Sequence, residues 1–234
     1  MKKYFKRLKN IEKKKFVRIL EKKIENEEKC FVITANPEMF MLGKRYPDID
    51  EMLCDRQCVI VPDGIGLILA GRRLGYEMKE RIPGVEICED LLKYADKHKK
   101  KLFLFGASKE VIGMLVNKIH TEFSGIDLCG YENGYVKDKQ KTFEKIAELQ
   151  PDIVLVALGM PAQERLIYNN LDKFEKGIFI GVGGSFDVLS GYKKRAPKFF
   201  VKLNIEWLYR IVKEPKRLKR FWDNNVKFLM QIKK

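Results

Sequence analysis

Long apolar runs are missing from this sequence, and so is most of the chemistry that histidine and cysteine supply. No uninterrupted hydrophobic stretch approaches the roughly 20 residues that a membrane-spanning helix needs, and the opening "MKKYFKRLKN" carries charge with no apolar region behind it. Neither a transmembrane helix nor a cleaved signal peptide is expected, and the protein is expected to stay in the cytoplasm. Only two histidines occur, His98 and His120, each in a charged helical context. The five cysteines, Cys30, Cys54, Cys58, Cys88 and Cys129, are odd in number and mostly sit in apolar segments. That suits reduced, buried thiols without a disulfide. Cys54 and Cys58 are four apart, but with only these two histidines in the chain no ligand set assembles a zinc site, so no metal site is expected. Internal repeats and low-complexity linkers are absent too.

What is present is core-forming material and basic charge. Of 234 residues, 45% are hydrophobic, enough for one large α/β domain or two small ones. The net charge of +15 is uneven: residues 193–234 hold 14 Lys or Arg against Glu206, Glu214 and Asp223, a net of +11, which leaves +4 for everything before them. Such a block implies either an anionic partner or a solvated face. The division expected is a core of residues 1–192 and a basic appendage of residues 193–234.

Six short apolar runs read as buried strands: "CFVITA" (30–35), "QCVIV" (57–61), "KLFLFG" (101–106), "IDLCGY" (126–131), "DIVLVALG" (152–159) and "GIFIGVG" (177–183). Helical stretches lie between them, at 84–99, 108–123, 139–149 and 162–174. This alternation generates a doubly wound, Rossmann-like α/β fold, a mostly parallel sheet covered by helices on both faces. Ligands in such sheets bind outside the carboxyl ends of the strands. The residues just after the runs are Thr34 and Asn36; Asp63 and Gly64; Gly106 and Ser108; Glu132 to Tyr135; Gly159 to Gln163; and Gly183 to Asp187. Each alone reads as a helix cap. Together they bring glycines, amides, hydroxyls and the carboxylates Asp63 and Asp187 to one edge, which suits a ligand bearing phosphate and sugar.

Two motifs fail on context. "PDID" sets Asp48 and Asp50 in the D-x-D spacing that holds a divalent metal in many sugar transferases, but it sits at a turn and helix start, where capping explains it. In "GVGGSFDVLSG" the glycines at 181, 183, 184 and 191 do not give G-x-G-x-x-G, so NAD is not expected and no cofactor is assigned. The tail reads as two helices, 199–213 and 215–232. In the second, Leu218, Phe221, Trp222, Val226 and Leu229 follow the spacing of one apolar face. Both tryptophans, Trp207 and Trp222, fall here. A basic amphipathic helix with aromatics fits the membrane interface, and it equally fits a helix packed on its own domain.

"TANPEM", "VPDGIG" running into "GRRLGYEMKERIPGVEICEDLL", "LFLFGAS", "PDIVLVALGMPAQE", "GVGGSFDVLSG" and "RAPKFFVKLNIEWLYRIVKEPKRLKRF", in this order from about residue 30 to 222, resemble the WecG/TagA/CpsF family of bacterial glycosyltransferases. The likeness is greatest to the TagA-like branch, which extends the lipid-linked disaccharide that begins wall teichoic acid. The resemblance implies inverting, metal-independent transfer from UDP-N-acetylmannosamine to N-acetylglucosamine on undecaprenyl diphosphate, forming a β-1,4 bond. It implies Asp63 as general base and Thr34 with Asn36 as the polar pair orienting sugar and acceptor hydroxyl. Gln163, Gly134, Tyr135 (with Tyr131 nearby) and Asp187 match motifs lining the UDP pocket. Arg210, Arg217 and Arg220 match residues that complete the site at the diphosphate, with Arg81 a further candidate there and in the donor pocket.

The partners implied are a UDP-sugar, the undecaprenyl-linked acceptor and the anionic inner face of the cell membrane, on which the protein would sit peripherally. A nucleic-acid-binding α/β domain with a basic tail is the rival from another class, and the tail's continuous apolar face favours lipid over duplex. Another donor, carrying glucose, galactose or N-acetylmannosaminuronic acid, stays open. So does the oligomeric state, since apolar surface on the tail could pair subunits into a homo-oligomer.

Overall fold

The computed structural model describes residues 1–232, without the side chains of Lys198, Lys202, Arg210, Arg217 and Arg220. Its centre is one parallel sheet of six strands, β1 (Lys29–Ala35), β2 (Cys58–Pro62), β3 (Lys101–Gly106), β4 (Asp127–Glu132), β5 (Ile153–Ala157) and β6 (Gly177–Gly181), in the order β2-β1-β6-β5-β3-β4. All six apolar runs are strands, but β4, at the sheet edge, is not the buried strand expected: none of its residues is buried, because only one neighbour covers it. Because alternate residues of a strand face opposite ways, the strands other than the edge strand β4 feed two cores. Phe31, Ile33, Val154, Val156 and Phe179 pack on one side, while Val32, Ile153, Leu155, Ile178 and Ile180 pack on the other. Full burial of such side chains stabilises by about 1.5–3 kcal/mol each, which is why both layers need a helical cover.

On the first side lie α1 (Lys2–Phe5), α3 (Pro37–Arg45), α4 (Pro47–Cys54), α5 (Ile65–Arg73), α8 (Lys139–Leu149) and α9 (Ala162–Tyr168). On the second lie α2 (Lys13–Glu25), α6 (Gly84–His98), α7 (Lys109–Glu122) and α10 (Ser185–Leu189). The doubly wound reading therefore holds. Helix α9 stops earlier than its pattern suggests, because the buried Asn170 turns its amide back to the Leu166 carbonyl (2.8 Å) and to Gln140 Oε1 (3.0 Å). A side chain that bonds backbone in this way competes with the helical ladder.

The tail departs further from expectation. It forms α11 (Lys198–Lys202), α12 (Glu206–Lys213), α13 (Arg217–Phe221), a π-turn at Trp222–Val226 and α14 (Lys227–Gln231). Asn204, at φ 59°, separates α11 from α12 in the left-handed conformation that asparagine tolerates. The wider π-turn rotates α14 relative to α13, so the apolar face read from the sequence is not the one that packs: none of Leu218, Phe221, Trp222, Val226 and Leu229 is buried. Leu218 and Trp222 are more than half exposed, whereas Phe228 and Ile232 are buried. Phe228 enters the first core against Phe5 and Phe40, with centroids 6.5 and 6.4 Å away. The amino-terminal helix, which carries none of the family motifs, thus forms part of the seat of the tail.

The five cysteines are free thiols. Burial pushes the Cys30 thiol up to about 11 and Cys58 to about 12, so both stay protonated and unreactive. Cys54 is the exposed exception.

Candidate active site

The strand order creates a crevice. After β1 the chain passes into α3 on the first side of the sheet, and after its neighbour β6 it passes into α10 on the second side. Adjacent strands whose following helices part in this way leave a gap at their carboxyl ends, where ligands of such folds bind. Thr34 stands in that gap, its Oγ1 donating to the Gly181 carbonyl of β6 at 3.3 Å. A side chain added at Gly84, the first residue of α6, would meet Thr34 at 3.3 Å, so the start of α6 closes over the same threonine.

Asp63 is held beside it. Its backbone N–H donates to the Ala35 carbonyl at 2.8 Å, which extends the β1–β2 pairing by one rung and ties the Asp63 loop to the segment carrying Thr34 and Asn36. The N-cap of α5 is Gly64. Asp63 therefore precedes the cap position and is partly buried. Asn36, by contrast, is a working cap, with Oδ1 accepting from Met39 N at 3.0 Å. Its acceptor oxygen is committed to α3, leaving the Nδ2 end as the part that can address a ligand.

Of the loops that the resemblance links to the nucleotide, those after β3, β4 and β5 meet at the β5–β3 junction, two along from the β1–β6 crevice. The Ala107 N–H donates to the Ala157 carbonyl (2.9 Å), and Gly134 N donates to the Ala107 carbonyl (2.8 Å). Gly106 sits at φ 128°, where an added Cβ would lie 2.3 Å from the Ala157 oxygen, so only glycine fits. This stack places Gly134 against the β3 loop and leaves Tyr135 81% exposed and Tyr131 52% exposed, both open to solvent at the rim. Ser108 caps α7 through Val111 N. Asp187 lies in α10 and is paired with Lys193 at 2.9 Å.

Gln163 has an unexpected setting. It is buried, and its Oε1 accepts from Gly159 N (3.1 Å) and Gly183 N (3.0 Å), which ties the β5 and β6 loops together. Its Nε2 donates to Glu164 Oε1 at 2.8 Å. Burial pushes the Glu164 carboxyl up to about 7, with Glu38 adding to the rise against the opposing bond from Gln163. Sequence reasoning passed over Glu164. The available signal was its spacing with Ile167 and Leu171, which puts an acid on the face that faces the core.

The tail flanks the site on two sides. One cavity, about 320 Å³, lies between α5, the 79–83 segment and α11; Arg72, Lys79 and Arg81 line it with Val201 and Asn204 of the tail. Arg81 Nη2 reaches the Val201 carbonyl at 3.5 Å. A second, about 720 Å³, lies between α3 and the 216–231 region. Arg195, where the tail departs, is fixed to Glu86 of α6 at 2.7 Å. Asn225 of the π-turn comes close to Gly66, where an added Cβ would stand 3.7 Å from its Oδ1. The side chains of Arg210, Arg217 and Arg220 lie outside the described residues.

Asp48 and Asp50 occupy the first turn of α4 behind its N-cap Tyr46, so they are not the caps that the sequence suggested. Both are engaged elsewhere. Asp48 takes both bonds of the Arg165 guanidinium (2.5 and 3.1 Å), and Asp50 accepts from Tyr4 and Lys3. The hydrogen bond from Arg165 holds the Asp48 carboxyl below the usual carboxylate range, and that from Lys3 does the same for Asp50. Among the described residues, no group of three or more His, Cys, Asp or Glu side chains converges as a metal-ligand set.

Comparison with known proteins adds a family. The model of the glycosyl transferase WecG/TagA/CpsF family matches residues 5–234, from the last residue of α1 through the tail. The chain is 41% identical over 206 residues to the N-acetylglucosaminyldiphosphoundecaprenol N-acetyl-beta-D-mannosaminyltransferase of Bacillus subtilis, covering 88% of this chain and 80% of that one. It is 40% identical over 197 residues to the enzyme of the same name from Bacillus spizizenii, covering 84% and 76%. To that of Staphylococcus aureus it is 36% identical over 197 residues, covering 84% and 77%.

Proposed function

This chain belongs to the WecG/TagA/CpsF family of glycosyltransferases, and on that premise we propose that it transfers N-acetylmannosamine from its UDP ester to the 4-hydroxyl of N-acetylglucosamine on undecaprenyl diphosphate, with inversion and without a metal. Such a product is the linkage unit of wall teichoic acid. The observation that carries the reading is the corner formed by Asp63, Thr34 and Asn36, held by the bond from Asp63 N to the Ala35 carbonyl.

The reaction needs one in-line displacement. The acceptor O4 attacks the anomeric carbon, the bond from that carbon to the β-phosphate oxygen breaks, and UDP leaves with the electron pair. Asp63 accepts the O4 proton as the hydroxyl becomes acidic, the role a carboxylate can fill when it is held at hydrogen-bond reach. Thr34 and the Nδ2 end of Asn36 orient the sugars. Gly134, Tyr135 and Asp187 receive the nucleoside, and Gln163 shapes the loops that face it. Charge developing on the diphosphate falls to guanidinium groups, which offer paired donors and permanent charge; Arg81, Arg210, Arg217 and Arg220 are the candidates. The engagement of Asp48 and Asp50 with protein cations supports a mechanism in which arginine takes the part of a metal.

The tail supplies the second half of the proposal, a peripheral seat on the anionic inner membrane surface beside the lipid acceptor. No described helix is long and apolar enough to cross a membrane. Phe199, Leu203, Val212, Leu218, Trp222 and Met230 are all more than half exposed among the basic residues of this region. Aromatic and aliphatic side chains interspersed with lysine are what the headgroup region binds. The deciding experiment is a panel of UDP-sugars offered with a soluble lipid-linked N-acetylglucosamine analogue and read by released UDP. UDP-N-acetylmannosamine should be turned over fastest; release with another donor alone would move the enzyme to a different branch of the family.

A further inference from the structure

Directly beneath the donor loops lies a buried acid that the mechanism above does not use. Glu164 is 2% exposed and Gln163 3% exposed, and the two side chains share one hydrogen bond. Glu164 Oε1 receives it, while Oε2 is buried with no hydrogen-bond partner among the described residues. The same amide of Gln163 holds the Gly159 and Gly183 backbones from its other end. Gly181 makes room for the pair, since an added Cβ there would stand 2.6 Å from Gln163 Nε2 and 2.8 Å from Glu164 Oε1. One carboxyl therefore orients one amide, and that amide closes two loops at the edge that receives the donor.

We propose that Glu164 is a positioning residue for sugar transfer, which as the neutral acid keeps Gln163 turned toward Gly159 and Gly183 and which, on losing its proton, loosens both loops and weakens donor binding. An ionised carboxylate at this place has one oxygen with no donor to offset its charge, and burial of such a charge is unfavourable. The Gln163 amide donates to either form and favours the anion, so the loosening comes from the uncompensated Oε2: α9 moves or water enters to reach it, and Gln163, carried on α9, is displaced from the glycines. The group that acts on it from a neighbouring element is the Glu38 carboxylate of α3, which also opposes ionisation; β6 presents Gly181, which does not titrate. Burial sets the balance near neutrality, so the tie is sensitive to pH within the range in which a bacterial cytoplasm operates.

This inference rests on the donor-binding reading given above, and its test separates the two. Full-length wild type, Glu164→Gln and Glu164→Ala are compared from about pH 6 to about pH 9. The first measurement uses no substrate: amide exchange at Gly159 and Gly183, expressed as the ratio of wild type to Glu164→Gln at each pH. That ratio should rise above neutrality. The second is steady-state transfer, in which the wild-type KM for donor should rise about fivefold or more toward high pH with a smaller change in kcat. Glu164→Gln, neutral at every pH, should lose that rise, and Glu164→Ala should show the high KM throughout. Equal pH dependence of exchange and of KM in wild type and Glu164→Gln overturns the proposal, and this comparison suffices even where Glu164→Ala does not fold. Wild-type enzyme that transfers from no UDP-sugar overturns the functional reading instead, and the substrate-free exchange ratio tells that failure apart.

Discussion

Asp63 and Ala35 are joined by a 2.8 Å hydrogen bond from the amide of the first to the carbonyl of the second, so that a carboxylate from the end of β2 stands next to the Thr34 and Asn36 segment of β1. The bond involves backbone only and does not depend on the side chain at residue 63. Asp63→Asn should therefore keep the fold and UDP binding, because the amide is nearly isosteric, while transfer falls by about a hundredfold or more. Calorimetry with UDP beside a UDP-release assay checks this. Normal turnover by a variant that binds UDP would remove Asp63 from the chemistry.

Activity is expected to survive EDTA. The one D-x-D in the chain is spoken for, Asp48 by Arg165 and Asp50 by Tyr4 and Lys3. Chelator titration of the transfer rate, followed by readdition of magnesium or manganese, decides the matter. Collapse and recovery would show that a metal binds through other groups.

Removing the chain after about Lys194 should abolish both sedimentation with anionic liposomes and sugar transfer. In the full chain, Arg217→Ala or Arg220→Ala should damage transfer more than sedimentation, since a single basic residue contributes only about 1 kcal/mol of attraction to the lipid surface. A truncated protein that transfers to a soluble acceptor at full rate would confine the tail to membrane attachment. Unchanged liposome binding by that protein would place the lipid contact elsewhere.

Phe228 is completely buried against Phe5 and Phe40, so Phe228→Ala should cost about 3 kcal/mol or more at the seat of the tail. Hydrogen exchange should then quicken in α14 and α3 before it does so in the sheet. Protection in α14 equal to wild type would mean that Lys44 and its bond to Gln231, or another contact, holds the tail in place.

Stability should depend on pH through Glu164 in the direction opposite to that of a salt-bridged acid. Its carboxyl titrates near 7 when folded, against 4.5 for an unperturbed glutamate, so between these values the folded state holds the extra proton. Unfolding free energy therefore falls as pH rises across that window, by on the order of 3 kcal/mol at most. Denaturant unfolding of wild type and Glu164→Gln at about pH 5 and about pH 8 isolates the effect. The variant should gain relative to wild type at the higher pH, and parallel curves would show that Glu164 is solvated or paired in solution.

The sheet was legible in the sequence because each strand is a short apolar run that the two-layer cover leaves unbroken, and α8 matched its pattern from Lys139 to Leu149. The edge that gathers Thr34, Asp63 and the glycine loops was readable from their positions just after the apolar runs. Less legible was anything decided by one polar side chain. Asn170 ended α9, Asn204 divided the first tail helix, and the π-turn at Trp222–Val226 sent Leu218 and Trp222 outward while Phe228 went in. Periodicity carries no information about a π-turn, since it assumes a constant twist. Gln163 showed the same limit at the site: its motif marked it as important, but its bonds to two glycine amides became apparent only when β5 and β6 stood side by side.

The contact of Phe5 with Phe228 also bears on synthesis. A ribosome completes Phe5 and Phe40 long before it reaches Phe228, and the sheet can close while their rings still lack that partner. Until it arrives, the nascent chain carries an uncovered aromatic patch at Phe5 and Phe40. If the tail completes the site as proposed, transfer competence comes only after translation has passed residue 228.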